Sequence, residues 1–200
     1  MRKLVLVCSL LACCIVADLP AQEAKTLYQE RDPAASYLVT PSGGRAQLKA
    51  AIEASLRKNP KNSAALTHRA YYFNDMGDTQ RALRDFDAAL AASTAGSAQA
   101  RHVYWSRGWA RYDTGDVDGA LQDWQEAGRL HGGTPHWLPY TLALGHWIIG
   151  DREAALRWFD IAVASDPVLA TDDGLREKIR NWDERQQVNM LALHDAWKAR

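Results

Sequence analysis

Few residues in this sequence have the types and spacing that catalysis requires. Its three cysteines are Cys8, Cys13 and Cys14, so the chain after residue 14 has no thiol nucleophile and no cysteine-based zinc site. The six histidines form no H-E-x-x-H metal motif, and the sequence has no glycine-rich phosphate loop. His136 and His146 share a face of one predicted helix, but about 15 Å of helix separates them, too far for one metal ion. The sequence therefore predicts no enzyme activity, no metal and no cofactor.

Aromatic rings are the other side chains with evident binding chemistry, and the chain has eight Trp and seven Tyr. Each ring can bury a large apolar area, and Trp and Tyr also carry one polar group. Basic and acidic residues both number 24, so no excess of charge attracts nucleic acid or anionic lipid. We therefore expect no nucleic-acid partner, and any binding function depends on the elements that carry the rings.

A Gly-Asp dipeptide divides the chain into similar units. It occurs at Gly77-Asp78, Gly115-Asp116 and Gly150-Asp151, with spacings of 38 and 35 residues. Glycine after a periodic run ends a helix because it accepts a positive φ without a Cβ clash. The neighbouring aspartate can accept hydrogen bonds from the first free N–H groups of the next helix. Each unit is therefore predicted to be a helix, a tight turn and a second helix.

Other residues recur when the three turn glycines are aligned. Alanine follows each glycine by five and by twelve residues, and leucine follows it by six. The small residues seven positions before the glycines are Ala70, Gly108 and Ala143, and the rings nine positions after them are Phe86, Trp124 and Phe159. Small residues allow two helix backbones to approach closely, and the ring then fills the space between them. Recurrence at a period of this length indicates a repeat protein.

This pattern resembles the tetratricopeptide repeat family over residues 63–96, 101–134 and 136–169. The resemblance implies an all-α helical solenoid of three helix-turn-helix repeats that acts as a protein–protein interaction module. Two features depart from the family pattern. The proline that often closes a repeat is present only as Pro167 in the third copy, and Ser97 to Ala100 separate the first two copies.

Both ends of the solenoid are predicted to have covering helices. Residues 22–62 form an N-terminal segment whose helix, over residues 45–58, has an apolar stripe that matches the second helix of a repeat. This helix is interpreted as half of a degenerate repeat that covers the exposed end of the stack. Residues 63–169 hold the three repeats, and residues 170–200 are predicted to form one or two amphipathic capping helices.

The first 21 residues are typical of a secretory signal. A short basic start precedes an apolar run, Leu4 to Ala17, that is too short to span a bilayer. Cleavage before Gln22 would release a soluble protein, whereas Leu10 to Cys13 resembles a bacterial lipobox in which Cys13 would carry a lipid anchor. The soluble form is favoured because the apolar run continues past Cys13. Either alternative predicts export to the periplasm or cell envelope, with no membrane span.

In the family, the first helix of each repeat lines the concave wall, at positions thirteen, ten, six, three and two residues before the turn glycine. Carried onto this sequence, seven of these fifteen positions are Tyr or Trp. The residues expected to bind a partner are Tyr71, Asn74, Trp105, Trp109, Tyr112, Trp137, Tyr140 and Trp147. These positions include no Lys or Arg, so the family's clamp for acidic peptide C-termini is not expected. Asp75 and Asp113 at the edge favour apolar or mildly basic segments instead.

Seven clustered rings could offer on the order of 1,000 Å² of apolar surface, more than a soluble monomer usually exposes in one patch. Two alternatives remain for what covers this surface: a partner peptide or helix in the groove, or the protein's own C-terminal helix folded back. Two or three of the rings are expected to pack as core between neighbouring first helices. The predicted function is a non-enzymatic interaction module of the bacterial cell envelope with a protein or peptide partner. The alternative is a protein that binds a small ligand or glycan with the same rings.

Overall fold

The computed structural model describes Tyr28 and residues 44–200. The predicted signal segment, Cys13 and almost all of the segment before Gly44 lie outside the described residues. Residues 44–200 form α1 (Arg45–Lys58), α2 (Ser63–Asp75), α3 (Thr79–Ala92), α4 (Ala98–Thr114), α5 (Val117–His131), α6 (Trp137–Ile149), α7 (Arg152–Ser165), α8 (Asp172–Ile179) and α9 (Glu184–Lys198), with a 3₁₀ helix at Pro167–Ala170 between α7 and α8. None of these helices has the length and apolar character needed to cross a bilayer.

The three Gly-Asp dipeptides form the predicted turns. Gly77, Gly115 and Gly150 have φ values of 76°, 89° and 85°, a region that favours glycine. The following aspartates cap α3, α5 and α7, because each carboxylate accepts from a backbone N–H of the first turn at 3.0 to 3.1 Å. The local pattern therefore determines where each helix pair bends.

The small and aromatic positions pack together as predicted. Phe86, Trp124 and Phe159 are all fully buried. A Cβ placed on Gly108 would lie 2.4 Å from Nε1 of Trp124, so the larger indole requires glycine there. The other two repeats combine the smaller phenyl ring with alanine at the equivalent position. Ring size and backbone approach are thus matched within each repeat.

Helices α2 to α7 stack as three antiparallel pairs, each packed on the next, and form a helical solenoid of the tetratricopeptide type. Helix α1 covers one end through Ile52 and Leu56, and it occupies the range predicted for it. The residues that separate the first two copies do not form a loop. Ser97 caps α4 by accepting from the Ala100 N–H at 3.1 Å, so the extra residues lengthen α4 by about one turn.

The C-terminal cap consists of two helices. Leu175 and Ile179 of α8, and Leu193 of α9, are buried against the third repeat. Between them, Asp183 and Gln186 form a capping box that starts α9, with Asp183 accepting from the Gln186 N–H at 2.8 Å. This break lets α9 turn back towards α6 and α7.

Candidate functional site

The first helices of the repeats, α2, α4 and α6, lie side by side and form one wall. The Tyr71 hydroxyl of α2 lies 3.0 Å from Nε2 of His102 on α4 and also contacts the Ser106 hydroxyl. Between α4 and α6, the rings of Trp105 and Trp137 meet edge to face with centroids 6.3 Å apart. The predicted aromatic wall is therefore continuous across the three repeats.

The C-terminal segment covers part of this wall. The Trp182 ring, just before α9, lies 5.4 Å from the Trp109 centroid and 5.8 Å from the Tyr140 centroid. Gln186 Nε2 donates to Asp113 Oδ1 at 3.0 Å, and Asn189 Nδ2 donates to the Tyr112 hydroxyl at 3.1 Å. Of the two covers considered for the rings, the structure supplies the protein's own C-terminal segment, and it leaves the wall incompletely covered.

A cavity of about 390 Å³ remains between α2, α4 and the C-terminal segment. Six aromatic rings and five polar side chains line it: Tyr71, Phe86, Trp105, Trp109, Tyr140 and Trp182, with Asn74, Ser106, Asp113, Asn181 and Gln186. This set is called the aromatic cavity below. Its volume is at the small end of the range for ligand pockets, roughly 300 to 1,000 Å³.

The structure brings most of the predicted binding residues to the aromatic cavity. Those that line it are Tyr71, Asn74, Trp105, Trp109 and Tyr140. Tyr112 and Trp137 instead belong to the core, with 0% and 5% of their surface exposed. Trp147 is half-buried, and the Arg152 guanidinium lies 3.5 Å from its ring centroid. These three rings do not line the aromatic cavity.

Sequence reasoning missed Phe86, Ser106, Asn181, Trp182 and Gln186 as cavity residues. Ser106 had a readable signal, since it lies one helical turn after His102 and one before Trp109 on the same face. The residues from the C-terminal segment had no such signal. A local pattern places helices along the chain but does not say against which wall they dock.

Asp113 is the acidic group of the aromatic cavity. Its carboxylate accepts from Gln186 Nε2 and, at 3.5 Å, from Asn74 Nδ2. Burial raises its pKa, which the two amide hydrogen bonds and the positive charge of Arg185 offset only in part. Arg185 donates to the backbone oxygen of Asp113 at 3.3 Å, and the described residues form no ion pair with the carboxylate. The cavity therefore holds a partly desolvated negative charge.

Two other polar atoms in residues that line the aromatic cavity are buried without a hydrogen-bond partner among the described residues, Asn74 Oδ1 and Trp105 Nε1. Because Asp113 only accepts, the Asn74 amide must direct its nitrogen towards that carboxylate and leave its oxygen unpaired. An unpaired buried polar group costs about 1–3 kcal/mol. Burial also raises the pKa of Tyr71 and Tyr140, so both phenols are neutral at physiological pH.

A second cavity, of about 480 Å³, lies between α1 and the α2–α3 turn. Its charged side chains already neutralise one another or a neighbour. Lys49 is paired with Glu53 at 3.8 Å and Arg81 with Asp78 at 2.6 Å, while Arg69 is paired with Asp85. This cavity is larger but has no unpaired charge, so the aromatic cavity is the better candidate.

One group of side chains in the described residues has metal-ligand spacing. Atoms of Asp172, His194 and Asp195 all lie within 4.8 Å of one another. Lys198 Nζ, however, lies 2.5 Å from Asp172 Oδ1 and 3.2 Å from Asp195 Oδ1. One ammonium group is therefore already shared between the two carboxylates.

Comparison with known proteins supports the fold. No family model matches the chain, and no curated protein matches it. Thirteen chains of solved structures do match. One is the crystal structure of MamA, a protein with tetratricopeptide repeats, at a TM-score of 0.53 and 15% identity, covering 75% of this chain and 86% of that chain. At this identity the likeness shows a shared helical fold and nothing about partners.

Proposed function

We propose that this protein is a non-enzymatic protein-interaction module of the bacterial cell envelope, and that it binds a peptide segment of its partner at the aromatic cavity. The aromatic cavity carries the proposal, because Trp105, Trp109 and Tyr140 line it and stay partly exposed, although Trp182 packs on two of them. Rigid aromatic anchors on a helical groove suit the recognition of extended or helical segments. The envelope location rests on the signal-like pattern of residues 1–21.

Site-specific photocrosslinking in cells tests this proposal. A benzoylphenylalanine at Asn181, which is exposed at the rim of the aromatic cavity, should capture a specific partner. The matched control carries the same group at Gln125, which is exposed on α5 away from the cavity lining. Trp105→Leu in the Asn181 variant should abolish the crosslink because it removes a ring from the cavity. Equal capture from both positions, or capture that survives Trp105→Leu, would contradict a groove partner.

The second candidate is a small-ligand or glycan-binding protein, which the limited volume of the aromatic cavity favours. One monosaccharide or a similar ligand would fill such a cavity, and Trp and Tyr faces stack on sugar rings. Titration with soluble cell-wall fragments, followed by Trp emission, distinguishes the candidates. A saturable shift that Trp105→Leu removes, without any crosslinked protein, would favour this second function.

A further inference from the structure

We propose that the aromatic cavity binds a basic side chain, lysine or arginine, of the partner segment. This inference rests on the proposed function and specifies the chemistry that the cavity recognises. It follows from the charge, the rings and the size of the cavity.

Charge is the first argument. The Asp113 carboxylate lines the cavity, and no lysine or arginine lines it. The one basic residue that contacts Asp113 in the described chain, Arg185, uses the backbone oxygen instead, and its guanidinium lies 5.5 Å from the Tyr112 centroid. The carboxylate thus accepts from the amides of Gln186 and Asn74, and Arg185 acts on it only through space, without a direct ion pair. An incoming ammonium or guanidinium group would supply it.

The rings are the second argument. Trp109 and Trp182 meet at 65° with centroids 5.4 Å apart, and Tyr140 lies 5.8 Å from Trp182 at 43°. The three rings contact one another, and all three also line the cavity, so a cation in the cavity would lie against their surfaces. The π-face of a Trp or Tyr ring attracts cations within about 6 Å. An apolar side chain would gain contact area from the rings but would leave the Asp113 carboxylate unpaired. The combination therefore selects a cation over an aliphatic group of the same length.

Hydrogen bonding is consistent with the same ligand. Asn74 Oδ1 is buried without a partner among the described residues, and it belongs to the amide that already holds Asp113. Ammonium and guanidinium groups carry several donors and no acceptor. A small rotation of the amide would therefore let one such group bond to the carboxylate and to Asn74 together. The volume of about 390 Å³ fits one long side chain rather than a whole helix.

Binding of capped tripeptides to the purified protein tests the inference. One peptide has a central lysine, one a central arginine, and the reference has norleucine, an aliphatic side chain of similar length. Trp182 and Trp109 make intrinsic fluorescence a direct readout. The lysine and arginine peptides should bind roughly tenfold more tightly than the norleucine peptide. Equal affinities for the three peptides would overturn the inference.

Asp113→Asn separates charge from shape. The variant keeps the size of the side chain, and the Asn74 amide can turn its unpaired oxygen towards the new amide, so the fold should persist. Its preference for lysine over norleucine should fall below twofold. Asp75→Asn is the matched control, since Asp75 is exposed on α2 outside the cavity and its loss makes the same change in net charge. An unchanged preference in Asp113→Asn, or an equal loss in both variants, would contradict the site.

A second variant keeps the inference testable if Asp113→Asn does not fold. Trp109→Leu removes a π-face but no charge, and circular dichroism reports whether the helices persist. It should reduce lysine affinity more than norleucine affinity, by several-fold. These outcomes can be told apart from those of the crosslinking experiment. A specific crosslink from Asn181 together with equal peptide affinities would support a partner in the groove and contradict the binding of its basic side chain.

Discussion

The two halves of the solenoid differ in how their end helices cover the stacked repeats. Among the residues that the structure describes, the N-terminal half, built on α1 to α4, ends in one helix, and none of its own segments turns back across the concave wall. The C-terminal half, built on α4 to α9, ends in two helices, and its chain returns across the wall through Trp182 and α9. The aromatic cavity lies where the part of the wall covered by this returning chain meets the wall of the N-terminal half. An end cap that turns back thus both completes the core and shapes the site.

The halves also differ in how their helix pairs are joined. Arg69 and Asp85 of the first repeat form a bidentate pair at 2.6 and 2.7 Å, and Arg107 and Asp123 form its counterpart in the second. In the second repeat the carboxylate is only 3% exposed, against 11% in the first. The third repeat has Leu142 at the arginine position and a tryptophan at the aspartate position. The ion pair is therefore more buried in the second repeat than in the first, and the third repeat has apolar residues at both positions.

The largest expected effect tests the C-terminal cap. Leu193→Ala removes a fully buried side chain of α9, so it should lower the free energy of unfolding by about 2–5 kcal/mol. Val188→Ala on the same helix is the control, because Val188 is 59% exposed and should change stability by less than about 0.5 kcal/mol. Urea unfolding measures both. Similar values for the two variants would mean that α9 does not stabilise the C-terminal half.

The ion pairs give the next effect. Asp123→Ala leaves Arg107 with only the exposed Asp87, at 2.6 Å, and should cost roughly 2–3 kcal/mol, less than a fully buried pair. Asp85→Ala breaks the more exposed pair of the first repeat and should cost about 1 kcal/mol. Thermal unfolding of the two variants compares the halves directly. A larger loss of stability in Asp85→Ala than in Asp123→Ala would contradict the expectation that the more buried pair contributes more.

A smaller effect is expected at the junction of the halves. Tyr71→Phe removes the hydroxyl that joins α2 to His102 and Ser106 of α4, so it should cost about 1 kcal/mol. Tyr72→Phe changes the neighbouring half-buried tyrosine, whose hydroxyl forms no hydrogen bond within the described residues, and should be close to neutral. Chemical denaturation of the pair isolates the contribution of this contact.

The smallest effect concerns pH. Because burial raises the pKa of Asp113 in the folded state, its ionised form costs stability, and Asp113→Asn removes that cost. The gain should be complete at neutral pH, above the raised pKa. It should shrink as the pH falls through that pKa and vanish below about 3.9, the ordinary value for aspartate. Unfolding of both proteins between pH 3 and 8 measures this, and a gain that grows on acidification would contradict it.

Much of the fold could be predicted because its determinants are local. A Gly-Asp pair encodes both the end of one helix and the cap of the next, and all three pairs do so in the structure. Ser97 shows the limit of this reasoning: alignment treats the residues after it as an insertion, whereas its hydroxyl caps them into α4. The Ser97 cap makes these residues helical, and Ser97 is not one of the positions that recur in the repeat pattern.

The candidate site was predictable in its chemistry but not in its extent. Trp105, Trp109 and Tyr140 follow from helical spacing and line the aromatic cavity. Tyr112 has the same spacing yet is fully buried: the Trp109 and Trp124 rings pack against it, and Asn189 of α9 bonds to its hydroxyl across 77 positions of sequence. Exposure of a ring depends on everything packed over it, which no single element encodes.

By itself, the sequence determined the repeats, their turns and the aromatic character of the wall, since each arises from residues within one or two helical turns of one another. Only the tertiary structure decided which rings remain open. Trp182 and Gln186 reach the wall from the far end of the chain, and the place where they dock depends on the shape that the stacked repeats have already formed.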